Sequence, residues 1–88
     1  MRIDKFLKVS RLIKRRTVAK DICEGGKIAL NGKIAKPSAE VKVGDIIIIE
    51  IGHRLLEVKI LDISSNVRAN EAASLYEVLR DQRKTESV

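Results

Sequence analysis

With 88 residues and a formal net charge of +6, the chain has the size of one small domain with a modest core. A hydrophobic fraction of 44% argues against disorder, and the single cysteine, Cys23, excludes an intrachain disulfide and fits a reducing compartment. No apolar run approaches the roughly 18 residues of a membrane span, and the amino end MRIDKFLKVSR lacks a signal-peptide core, so a cytoplasmic chain without membrane contact is expected.

The first element predicted is a short helix over Arg2 to Val9. Ile3, Phe6, Leu7 and Ser10 fall at helical spacing, and Asp4 complements the dipole of the first turn. Leu12 and Ile13 follow as a hydrophobic plug. Val18, Ala19, Ile22 and Cys23 then give a second helix over Lys14 to Glu24, stopped by Gly25-Gly26, with Val18, Ile22 and Cys23 turned to the core.

In KIALNGKIAKP, Asn31-Gly32 is a two-residue hairpin signal, with Lys33 to Ala35 as the returning strand. After a turn at Gly44-Asp45, IIIIEI reads as a strand buried on both faces for most of its length. Gly52-His53 turns the chain into LLEVKILDI, a further strand. Ala72, Leu75, Tyr76 and Leu79 stand at i, i+3, i+4 and i+7, which predicts a closing helix capped by Asn70. A single domain over residues 1–80, with a polar tail at 81–88, is expected.

Charge is spread unevenly. Residues 1–36 carry 11 Lys and Arg against 3 Asp and Glu, a net +8; residues 37–88 carry 7 against 9, a net −2. A run of charge is ordinarily a solvated helix face. Here the basic face lacks balancing acids and is confined to one part of the chain, which favours an anionic partner, nucleic acid first. Arg16 and Lys20 share a helix face. Arg15 flanks them at the helix start, Lys5, Lys8 and Arg11 add charge from the first helix and its connection with Arg2 at the amino end of that helix, and Lys27 and Lys33 project from the hairpin. The arginine fork can grip a phosphate through two parallel hydrogen bonds. Arg2, Arg16 and Lys20 are the foremost candidate RNA-binding residues, with Lys5, Arg11, Arg15, Lys27 and Lys33 in support; Asn31 and Gly32 are expected to shape the hairpin rather than read bases.

Phe6 and Tyr76, the only phenylalanine and the only tyrosine, lie on apolar stripes, so base stacking on aromatic side chains is disfavoured against recognition of RNA shape and backbone. One His with one Cys cannot build a usual zinc site, and no phosphate-loop or dinucleotide fingerprint is present. No catalytic residue, metal or cofactor is expected.

RIDKFL followed by KRRTVAKDICEGGKIALNGK resembles the ribosomal-protein-S-four-type RNA-binding domain. Arg2, Ile3, Asp4 and Leu7 fill its first motif; Arg16, Ala19, Ile22, Gly26, Ile28, Leu30, Asn31 and Gly32 fill its second, with Arg15 where the family often has serine. KPSAEVKVGDIIIIEI and EAASLYEVL extend the likeness to the small heat-shock S-four proteins and the short P factors of ribosome-associated quality control.

The resemblance implies an α+β fold of the αL type, with two amino-terminal helices on a small, mostly antiparallel sheet plus a short carboxyl-terminal helix. It implies a non-enzymatic monomer on the free large ribosomal subunit, touching large-subunit rRNA and peptidyl-tRNA beside a factor that adds alanine tails. Rival expectations are a module detached from an RNA-modifying or tRNA-charging enzyme, and a ribosome assembly factor.

Overall fold

The computed structural model of the protein describes residues 1–64 and 68–83. Helix α1 (Ile3–Val9) buries Ile3, Phe6 and Leu7 completely. It ends at Ser10, after which Arg11 takes a left-handed backbone with φ 61°. The Arg11 N–H donates to the Lys8 carbonyl at 3.0 Å, and the left-handed turn at Arg11 lets the Ile13 N–H reach the Leu7 carbonyl at 3.0 Å, closing the helix as a glycine usually does. The reversal drives Ile13 into the core, with Leu12 packed at its margin, so the expected plug is present.

Helix α2 (Arg16–Glu24) begins two residues later than predicted, because Arg15 holds extended backbone at its amino-terminal cap. Ala19 and Cys23, one turn apart, form its buried stripe, and Ile22 packs against the same cluster. Val18, expected in the core, is instead 42% exposed. It lies about 100° round the helix from Ala19, on a flank that the core does not cover.

Strands β1 (Ile28–Leu30) and β2 (Lys33–Ile34) form the predicted hairpin; Asn31 and Gly32 both have positive φ, 51° and 86°, as a type I′ turn requires. With β3 (Ile46–Ile51), β4 (Arg54–Ile60) and β5 (Tyr76–Arg83) they make one antiparallel sheet in the order β2-β1-β3-β4-β5.

In β3, Ile47 and Ile49 are buried opposite Val58 and Leu56, while Ile46 and Ile48 are only half-buried. The expectation of burial on both faces is thus corrected. The α1 and α2 side chains share the core cluster with Ile47 and Ile49.

The closing helix is also corrected. Ala69–Leu75 is a 3-10 helix, with Asn70 inside it and Arg68 at its cap position, and from Tyr76 the chain runs as β5 beside β4. Ala72 and Leu75 are buried as predicted, but Leu79 is 48% exposed. Tyr76 pairs with Ile60 and Val78 with Val58, so an aromatic and a β-branched residue complete the edge of β4. Residues 81–83 of the predicted tail belong to this strand, and 84–88 lie outside the described residues. Arg54 donates two hydrogen bonds to Asp81, at 2.9 and 2.8 Å, and fastens the far end of the β4–β5 pair. That hydrogen bonding, with the positive charge of Arg54, holds the Asp81 carboxyl below its usual range.

The segment before β3 ties down the amino terminus. The Ile3 N–H donates to the Ala39 carbonyl at 2.7 Å, the Val41 N–H to the Met1 carbonyl at 2.9 Å, and the terminal ammonium pairs with Glu40 at 2.9 Å. Arg2 is thereby placed between α2 and the loop at Pro37, where the Asp4 N–H donates to the Pro37 carbonyl.

Candidate nucleic-acid interface

A buried carboxylate organises the basic surface. Asp4 is 2% exposed; its Oδ1 accepts the Lys5 N–H at 2.7 Å and a guanidinium hydrogen from Arg16 at 3.5 Å, and its Oδ2 accepts from Arg2 at 3.2 Å. The two arginine side chains remain 47% and 46% exposed. One end of each fork is tethered and the rest is open to an incoming phosphate. Tethering reduces the rotamer entropy lost when a long cationic side chain is fixed on a ligand. Composition and spacing single out the arginines but not this carboxylate, which reads locally as a helix-dipole partner. Its second role comes from the packing of α2 against α1.

Three concave surfaces carry most of the other cations, and Arg16 lines none of them. Arg2 and Lys20 line an open groove of about 520 Å³ together with Lys36. Arg11 lines a second concavity, of about 670 Å³, with Lys8 and Lys14. Lys33 lines a third, of about 410 Å³, again with Lys36. Charge patterning names Lys8 among the cations of the first helix but does not single out Lys14 or Lys36. Lys36 follows the hairpin in sequence and is brought beside Arg2 only by the pairing of the amino terminus with the 37–41 segment. Lys5, Arg15 and Lys27 are exposed on α1, at the α2 cap and before β1, and line none of these three surfaces.

Asn31 is occupied structurally. Its Oδ1 accepts the Ile46 N–H at 2.9 Å, and its Nδ2 donates to the buried Asp45 at 3.1 Å, which also accepts the Lys42 N–H at 2.9 Å. Burial, with the negative charges of Asp4 and Glu24, pushes the Cys23 thiol up to about 11, so it is a neutral, apolar part of the floor and not a nucleophile near pH 7. His53 is exposed in the β3–β4 turn. Among the described residues no group of His, Cys, Asp and Glu could hold a metal ion, and no helix is long and apolar enough to cross a membrane.

Residues 1–47, which contain Asp4, both tethered arginines and the hairpin, match the family model described as S4 domain. The chain is 52% identical to the RQC P-site tRNA stabilizing factor of Halalkalibacterium halodurans, over 93% of each chain. It is 47% identical to the protein of that name from Streptococcus pneumoniae over the full length of both. Among solved structures it resembles heat shock protein 15 of Vibrio cholerae, described as trimeric, with a TM-score of 0.82 and 39% identity, covering 89% of this chain and 80% of that one.

Proposed function

Since this chain belongs to the S4 domain family, we propose that it is an RNA-binding factor of ribosome-associated quality control that stabilises peptidyl-tRNA on the free large ribosomal subunit. The observation that carries this reading is the Asp4-tethered pair Arg2 and Arg16, exposed beside Lys20 in the part of the chain that matches the family. Arg2, Arg16 and Lys20 contact phosphates directly. Lys5, Arg11, Arg15, Lys27 and Lys33, joined by Lys8, Lys14 and Lys36, extend the positive field along the RNA. The factor acts in the cytoplasm as a monomer. It performs no chemistry, but holds large-subunit rRNA and tRNA in register while a partner factor adds alanine to the nascent chain.

The test is affinity purification from cells followed by sequencing of the bound RNA. Large-subunit rRNA with tRNA is the expected yield; small-subunit rRNA would instead indicate an assembly role. Arg16→Ala should weaken cosedimentation with large subunits by about 1–3 kcal/mol, and the salt slope of the remaining binding should fall by about one phosphate contact. A folded Arg16→Ala variant that sediments like the parent removes Arg16 from the interface.

Arg11 separates stability from binding. Its left-handed backbone is strained for any residue with a Cβ, so Arg11→Gly is expected to raise stability by about 0.5–1 kcal/mol in urea denaturation. The same substitution removes a cation from the surface shared with Lys8 and Lys14, and should lower large-subunit affinity severalfold.

A further inference from the structure

The groove beside Arg2 has more than phosphate-binding chemistry. Resting on the RNA-binding reading above, we propose that it receives one unstacked nucleotide of the bound RNA, base inward. Its floor is apolar, made by Cys23 and Ala35, 3% and 5% exposed, with Pro37 beside them. Ile34 stands at its rim, 68% exposed, more than any other large apolar side chain among the described residues. Covering so open an isoleucine with a flat apolar ligand removes apolar surface from water, which is favourable.

The cations Arg2, Lys20 and Lys36 line the same groove and suit the phosphates on either side of an inserted base. Glu24 is the one carboxylate in the lining. Exposed at the end of α2, it repels a phosphate placed next to it but can accept a hydrogen from the exocyclic amino group of a base, so its side of the groove favours base over backbone. The volume of about 520 Å³ falls within the roughly 300–1,000 Å³ of small-ligand sites, and so gives room for a nucleotide. No aromatic residue lines the groove, so the base is held by aliphatic packing rather than by ring stacking. A base inside a helix has both faces covered; the occupant must come from a loop or bulge.

The test uses the full chain and two RNA hairpins that differ only at one bulged position, adenosine in one and an abasic residue in the other. Fluorescence anisotropy should give about tenfold tighter binding to the adenosine hairpin. Ile34→Ser, at a position too exposed to support the core, should bring the ratio of the two affinities close to one. Equal affinities for the two hairpins with the parent chain overturn the base site and leave the RNA-binding reading standing. A tenfold ratio that survives Ile34→Ser also overturns it, because the base then lies elsewhere. Failure to bind either hairpin at low salt overturns the RNA-binding reading and the groove with it.

Discussion

Asp4→Ala is expected to weaken RNA binding at least tenfold, although it removes a negative charge from the basic surface proposed to bind RNA. Electrostatics taken as a sum over charges has the opposite sign: a chain of net charge +6 that gains one more positive unit should bind RNA more tightly. The geometry reverses the expectation. Asp4 is 2% exposed, so little of its charge faces an incoming phosphate directly, while its two oxygens tether Arg2 and Arg16. Without the carboxylate, the two guanidinium groups repel one another and recover their rotamer freedom. Each charged hydrogen bond to phosphate then forms at the expense of that entropy, and charged hydrogen bonds are worth about 1.5–3 kcal/mol each. The Lys5 N–H also loses its acceptor in the first turn of α1, where helical N–H groups have no intrahelical partner. Asp4→Asn keeps an acceptor for that N–H while removing the charge, so its melting temperature should stay nearer the parent's while its RNA affinity falls. Anisotropy titrations paired with thermal melts measure both effects. Tighter binding by a folded Asp4→Ala variant would show that Asp4 acts only as one more surface charge.

What could be read in the chain and what could not divides along locality. The hairpin was legible because Asn31-Gly32 satisfies a rule contained in two residues, and both backbones have the positive φ that the rule needs. The existence of the two helices and the surplus of charge in residues 1–36 were equally local, and they single out Arg2, Arg16 and Lys20 as candidates, although α2 starts two residues later than its pattern predicts. Tyr76 to Arg83 misled because Ala72, Leu75, Tyr76 and Leu79 imitate a helical stripe. The competing signal, Tyr76 and Val78 alternating toward Ile60 and Val58, depends on a strand more than a dozen residues away. Val18 misled for a related reason: periodicity gives a helix an apolar side without saying how wide a part of it the core will cover. Asp4 and Lys36 were the deeper omissions. The carboxylate needed α2 to be laid against α1, and the lysine needed the 37–41 segment to be laced to the amino terminus, before either joined the basic surface.

Asn31→Ala should destabilise the fold by about 2–4 kcal/mol and leave the RNA affinity of the folded protein unchanged. Two side-chain hydrogen bonds are lost, and both partners suffer. The Ile46 N–H loses its acceptor, and Asp45, 6% exposed, keeps the Lys42 N–H but loses the amide that shielded its charge. Each unsatisfied group of that kind costs about 1–3 kcal/mol, and alanine at φ 51° adds the strain that asparagine tolerates better. Against a total stability of about 5–10 kcal/mol for a domain of this size, the shift in urea midpoint should be plain. Asn31→Gly separates the two causes: it accepts the left-handed backbone but restores neither hydrogen bond, so it should recover only about 1 kcal/mol of the loss. The affinity measurement decides the role of the residue. Asn31 joins β1 to the turn before β3 through Asp45 and Ile46, which is a structural task complete without RNA. A folded Asn31→Gly variant with parental stability and reduced affinity would instead make Asn31 a reader of the RNA.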